Sequence, residues 1–358
     1  STRKESSAAS DVYKRQESLW NEDDKFYYDA ISWGEPFKQQ LPIRSLVGLI
    51  PLYACMTLEP RILDKFPGFK KRIDWFLENR SAMFGRNIAS MEKRGVGERL
   101  LLSLVNKERL EAILSRMLDE TEFLSDYGIR SLSKYHEKHP FTMSVNGEKY
   151  EVSYLPGESN SGMFGGNSNW RGPVWFPTNF LLVESLQRFF LYYGPEFKVE
   201  CPKGSGEFLN LAQIAEELQH RLIHLFIPDA EGHRAVYHGE YSDLLSKDPN
   251  FENLIPFYEY FDGDTGRGLG ASHQCGWTAL VAKWIHDTGL SCIRLPRTPR
   301  SSVNVANLDN AHINSLLSDV KPNMPRKMAR RKSSKSLINL TATQLELTEE
   351  EKYLHYIG

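Results

Sequence analysis

Two stretches of the sequence bring together side chains suited to carbohydrate chemistry. The first is Pro156–Asn179, PGESNSGMFGGNSNWRGPVWFPTN. It holds five glycines, at 157, 162, 165, 166 and 172, among Asn167, Asn169, Trp170, Arg171, Trp175 and Asn179. Glycine lets a backbone come close to a ligand. Tryptophan faces stack on the C–H faces of sugars, and Arg and Asn direct hydrogen bonds at hydroxyls. The plainer alternative is a long structural loop with its tryptophans in the core. Loops of this length are uncommon without a functional reason.

The second stretch is Asn253–Trp277, NLIPFYEYFDGDTGRGLGASHQCGW. Glu259 stands between Tyr258 and Tyr260. A carboxylate in aromatic, partly desolvated surroundings suits a general base or acid; a surface carboxylate is the plainer reading. Asp262 and Asp264 form a DxD pair that could attract a cation. The twelfth position counted from Asp262 is His273 rather than Glu, so the calcium-loop pattern fails. His273 has no Ser and Asp partners that would make a hydrolase triad. GDTGRGLG matches a nucleotide loop only loosely and does not follow a strand. A third mixture of acids and aromatics, Trp20–Asp29 (WNEDDKFYYD), reads best as a strand entering the core.

The elements that must position these residues are mainly helical. Phe69, Ile73, Phe76 and Leu77 recur at helical spacing after Pro67-Gly68. Leu110, Ile113, Leu114, Met117 and Leu118 do the same, with Asn106 as N-cap. Leu211, Ile214, Ala215, Leu218, Leu222 and Leu225 form a third stripe. Phe180–Tyr193 and Trp277–Ile285 are apolar on nearly every face and should be covered all round. One-sided helices around buried ones suggest a two-layer all-α toroid, and no βαβ rhythm appears. Asn146-Gly147, between the alternating runs of Phe141–Tyr154, signals one small β-hairpin insertion.

Composition narrows the function. With 44 Lys+Arg against 46 Asp+Glu, the net charge of −2 argues against a nucleic-acid binder. No apolar run approaches the roughly 18 residues of a membrane span. The four cysteines include no CxxC pair, which disfavours a zinc cage; reduced thiols of a cytosolic protein are the simplest reading. Ser1–Gln16 lacks periodicity and resembles translated vector or adaptor sequence, so the native protein is expected to start further upstream. The folded part is expected over 17–288. Residues 289–358 read as a disordered tail, basic over Lys321–Lys335 and acidic toward the end. Arg330-Arg331-Lys332-Ser333 could serve a basophilic kinase, and the 321–335 segment could meet a protein partner.

Several blocks resemble the C-terminal catalytic domain of glycoside hydrolase family 63, the family of processing α-glucosidases. They are WNEDDKFYYD, IRSLVGLIPL (Ile43–Leu52), DYGIRSLSKYH (Asp126–His136), GGNSNWRGPVWFPTN (Gly165–Asn179) and FYEYFDGDTG with SHQCGWTALV. Together they span nearly all of residues 17–287. WRGPVW and EYFDGDTG are the specific ones.

The resemblance implies part of an (α/α)6 six-hairpin toroid with the site in its mouth. It implies an inverting glycosidase that needs two carboxyl groups and no metal or organic cofactor. By motif position Glu259 would be the general base. Trp170, Arg171, Trp175 and Asn169 would line the sugar subsite, with Arg130 near the same mouth and Asp262 and His273 weaker carry-overs. The family's general acid, an Asp in a Gly-x-Asp-Asn type loop before WNEDDKFYYD, has no counterpart in this sequence. The chain is therefore expected to be a C-terminal fragment, inactive alone, with an oligosaccharide or small glycoside as its ligand. The alternatives are a non-catalytic carbohydrate-binding protein on the same scaffold, or a scaffold that works through its basic tail.

Overall fold

The computed structural model describes residues 19–32, 38–79, 93–160, 170–229, 231–251 and 254–294, with the backbone alone at 77 and 289–294. The chain divides after Pro296 into two units, and every described residue belongs to the first. The expected leader Ser1–Gln16, the site residue Asn169 and the basic segment 321–335 lie outside the described residues.

In chain order come β1 (Trp20–Asn21), β2 (Phe26–Tyr27), β3 (Asp29–Ser32), β4 (Lys38–Leu41) and a 3-10 helix (Leu46–Tyr53). β5 (Cys55–Leu58), α1 (Pro60–Lys65), α2 (Pro67–Asn79), β6 (Leu100–Ser103) and α3 (Lys107–Met117) follow. Next are β7 (Leu124–Ser125), β8 (Gly128–Ile129), α4 (Tyr135–Lys138), β9 (Phe141–Val145), β10 (Glu148–Val152) and α5 (Phe176–Tyr193). The last are β11 (Lys198–Glu200), β12 (Phe208–Asn210), α6 (Leu211–Ile223), α7 (Ser242–Lys247), β13 (Tyr260–Phe261), β14 (Gly268–Leu269) and α8 (Val281–Arg294).

Two of the three one-sided helices are started by side-chain caps. The Asn106 side chain accepts from the Arg109 N–H at 2.9 Å and begins α3. Asn210 and Gln213 form a reciprocal capping box at the head of α6, a cap not read from the sequence. Leu110, Ile113, Leu114 and Met117 of α3 are fully buried, as are Leu211, Ile214, Ala215, Leu218 and Leu222 of α6. Side chains of this size contribute about 1.5–3 kcal/mol each when taken from water. Helix α5 packs against α6, the 3-10 helix and the β5–β6 hairpin, and so forms the centre of the core. It is not covered all round: Leu181 is 46% exposed.

Strand content exceeds the single insertion expected. The described residues hold seven two-stranded antiparallel ladders. The expected hairpin is β9–β10, with Asn146 at φ 53° and Gly147 at φ 86° in its turn. Several of the others have strands of only two residues, too short for a period-2 alternation to show. WNEDDKFYYD does enter the core, with Phe26 fully buried. Its Asp24 faces Arg44 at 3.2 Å and Arg116 at 3.7 Å, and both arginines also pair with Glu122.

Separate sequence blocks meet in pairs. Ile43–Leu52 joins Asp126–His136: Leu46 N–H donates to Ser131 O, Ser133 N–H to Arg44 O, and Arg44 N–H to His136 Nε2 at 2.9 Å. His136 lies 2% exposed, and its Nδ1 is 2.9 Å from His139 O. Burial pushes its pKa down, with the Arg44 charge adding to that; the neutral ring keeps Nε2 as an acceptor. In the other pair, Val174 exchanges two backbone hydrogen bonds with Phe261, at 2.8 and 3.0 Å, and also bridges Arg130. The WRGPVW and EYFDGDTG segments are thus neighbours through their main chains.

Candidate active site

The Val174–Phe261 bridge sets one aromatic residue beside another. Trp175 follows Val174 as the N-cap of α5, and Tyr260 precedes Phe261 on β13. Trp175 stacks on Tyr260 with centroids 4.8 Å apart and on Trp170 at 4.4 Å. Trp277 meets Trp175 edge-on at 6.4 Å, and Leu269 completes the cluster. Trp175 is 5% exposed, whereas Trp170 and Trp277 are partly exposed. The rings with exposed surface are therefore Trp170 and Trp277, and Trp175 is their backing. Sequence reasoning had paired Trp170 with Trp175. It missed Tyr260 and Trp277, although both lie in segments it singled out.

Glu259 sits at the edge of this wall and is partly buried. Its Oε2 accepts from the Ala271 N–H at 3.2 Å. Gly270, at φ 71°, makes that approach geometrically accessible. A Cβ at Gly270 would lie 2.6 Å from Tyr260 Cε1 and 2.8 Å from Glu259 Oε2. The carboxylate and the wall thus converge on one bare stretch of backbone. Across the wall, Glu158 receives the Tyr260 hydroxyl hydrogen bond at 3.3 Å, a second carboxylate not picked out from the sequence.

The other expected site residues have different surroundings. Arg130 is 6% exposed and its guanidinium is engaged in the scaffold: Nε donates to the Tyr154 hydroxyl at 3.0 Å, Nη1 to Leu124 O, and Nη2 to Asp264 at 3.1 Å. Asp262 accepts from the Asp264 and Thr265 N–H groups, which closes the DGDTG turn. Arg171 is 3% exposed. Burial pulls its guanidinium below the usual value, partly offset by the Glu151 charge. His273 is exposed, with its backbone bridged to Phe257. Asn179, grouped with the sugar ligands by composition, is fully buried and bonded to Ile129. Among the described residues no three His, Cys, Asp or Glu side chains gather as a metal site, and no helix is long and apolar enough to cross a membrane.

Asp264 ties this scaffold to pH. Burial raises its carboxyl, but hydrogen bonds from Lys134 and Tyr154 and the Arg130 charge outweigh that, leaving it below its ordinary 3.8. A lowered folded-state value stabilises the fold fully above the ordinary value, and that stability is lost as pH falls through the lower one. Urea midpoints of wild type and Asp264→Asn should therefore differ most near neutrality. The gap should narrow as pH falls below the ordinary value of 3.8; a gap constant with pH would show that Asp264 contributes no such linkage.

Comparison with known proteins places the chain in a family. The model of the mannosylglycerate hydrolase MGH1-like glycoside hydrolase domain matches residues 89–278. That range includes Arg130, the tryptophans, Glu259 and His273. The uncharacterized protein YMR196W of Saccharomyces cerevisiae is 71% identical over 343 residues, covering 96% of this chain and 31% of its own length. The mannosyl-oligosaccharide glucosidase of the same yeast is 27% identical over 177 residues, 49% of this chain and 15% of that protein. The chain thus spans less than a third of the length of these curated relatives. Among solved structures, the GH63 mannosylglycerate hydrolase from Thermus thermophilus in complex with glucose aligns at 14% identity and a TM-score of 0.31, covering 76% of this chain and 38% of that one.

Proposed function

This chain belongs to the mannosylglycerate hydrolase MGH1-like glycoside hydrolases, in the kinship of glycoside hydrolase family 63, and on that premise we propose that it carries the base side of an inverting site for α-glucosidic oligosaccharides. The observation that carries this reading is the convergence of Glu259 and the Trp170–Trp175–Tyr260 wall on Gly270. We take helices α3, α5, α6 and α8 as part of an (α/α)6 toroid with this wall at its mouth.

In the proposed reaction, Glu259 removes a proton from water as the water oxygen bonds to the anomeric carbon. The bond from that carbon to the leaving oxygen breaks, and an acid on the opposite face protonates the leaving oxygen. Ala271 N–H holds Glu259 Oε2, and this reading leaves Oε1 to take the proton. The partly exposed faces of Trp170 and Trp277 seat the sugar ring. The acid of the family resemblance stands in a motif absent from this sequence. The 358-residue chain by itself should therefore bind glucosides and hydrolyse none.

A titration with an α-glucosidic trisaccharide, followed by tryptophan fluorescence and by glucose release, tests both statements. A saturable signal that is lost in Trp170→Ala, without glucose release, is the expected result. Absence of saturable binding at millimolar sugar would remove the wall from the site. Turnover at an ordinary enzymatic rate would show that the acid lies within these residues.

A further inference from the structure

Thr278 is a fully buried polar side chain at the start of a short 3-10 turn, Thr278–Leu280, that leads into α8. Its hydroxyl donates to Tyr258 O at 2.7 Å, across 20 residues of chain. Tyr258 immediately precedes Glu259, and the partly exposed Trp277 immediately precedes Thr278. One hydrogen bond therefore joins the segment that carries the carboxylate to the segment that carries a ring of the wall.

The Thr278 end of this bond is anchored. Trp284 of α8 is 1% exposed, and its ring centroid lies 5.3 Å from that of Phe176 and 5.4 Å from that of Phe180. Both phenylalanines belong to α5, whose N-cap is Trp175. At the other end, Tyr260 and Phe261 pair with Leu269 and Gly268, while Phe257 O accepts from Gln274 N–H at 2.7 Å. Glu259 lies between these points, with its own Ala271 N–H contact at the longer distance of 3.2 Å. Of these bonds, the one from Thr278 has a side chain as donor. A substitution can delete it and leave the backbone contacts in place.

We infer that Thr278 is a positioning residue for the proposed reaction: its hydroxyl holds the main chain at Tyr258 so that Glu259 is set against the Trp277 wall. The inference rests on the reading of Glu259 as general base. A misplacement of about 1 Å at a reacting group can cost about 10²-fold in rate, so the bond matters beyond its own strength. Because the wall is the anchored end, loss of the bond frees the carboxylate and leaves the rings seated.

The test is a set of substitutions in a full-length homologue with threonine at this position, assayed on an α-glucosidic trisaccharide. Thr278→Val keeps the shape and deletes the donor. It should lower kcat at least about 10-fold while changing the trisaccharide Kd less than about 3-fold. Thr278→Ser keeps the donor and should stay within about 3-fold of wild type in kcat. Added to Glu259→Gln, Thr278→Val should lower the residual rate by no more than about 2-fold, because no base is left to position. If Thr278→Val does not fold, Thr278→Ala against Thr278→Ser isolates the same hydroxyl, with the same expected results. Wild-type kcat in Thr278→Val, beside an impaired Glu259→Gln, overturns the inference and leaves the base standing. Equal losses from Thr278→Val with and without Glu259→Gln, a parallel loss of binding, or no rescue by Ser make the residue structural and also overturn it. No turnover in the homologue, or turnover unchanged by Glu259→Gln, removes the base and the inference with it.

Discussion

Replacing Glu259 by Gln in a full-length homologue, such as the yeast relative, is expected to lower glycoside turnover about 10²–10⁴-fold while leaving sugar binding nearly unchanged. Gln has the size of Glu and keeps an oxygen for the Ala271 N–H, so the cradle that holds Oε2 at 3.2 Å survives. Only the ability to take a proton from water is lost. In the proposed reading binding is carried by Trp170 and Trp277, and the substitution changes neither ring. Single-turnover kinetics beside a binding titration separates the two quantities. Unchanged turnover would remove Glu259 from the mechanism. Loss of binding in parallel would make it a sugar ligand instead of a base. Gly270→Ala provides the positioning control: its Cβ would displace both the carboxylate and the Tyr260 ring, so kcat should fall while residue 259 remains Glu.

How far the site could be read from sequence follows from how each residue is held. Glu259 and Trp170 are legible because their types and their glycine-rich surroundings are unusual. Tyr260 was visible only as a flank of Glu259, because its stacking on Trp175 depends on the Val174–Phe261 bridge between residues 87 apart in sequence. Arg130 shows what a motif leaves out. Its motif pointed to the mouth, and the buried guanidinium is engaged by Tyr154, Asp264 and the carbonyls of Glu120 and Leu124, partners drawn from three stretches of chain. The helices were legible by periodicity, and the Asn146-Gly147 turn by its φ requirement. The other ladders were not, since a two-residue strand is specified by what it pairs with. The apolar stripe of α2 was read correctly as a stripe; nothing in the local sequence could say that part of it would lack cover.

Asn179 concentrates the dependence of the site on one buried amide. It sits in the first turn of α5 and is fully buried. Its Oδ1 accepts from Ile129 N–H at 2.8 Å, while its Nδ2 donates to Ile129 O at 3.0 Å and Trp175 O at 2.9 Å. The side chain thus imitates a strand against β8 and fixes the start of α5, where Trp175 stands, to the hairpin that leads into Arg130. Asn179→Leu conserves volume but leaves Ile129 N–H and O without these partners in the core. Each such loss costs about 1–3 kcal/mol. The expected destabilisation is roughly 3–5 kcal/mol, a large share of the total stability of an ordinary domain. Thr178→Val is the internal comparison: its hydroxyl makes one bond to Trp175 O, at 2.9 Å, which also accepts from Asn179. That change should cost only about 1 kcal/mol. Urea unfolding of the two variants decides between a clamp and a spectator. Equal, small effects would mean that the Ile129 backbone finds other partners and that the α5 start is held by its apolar packing alone.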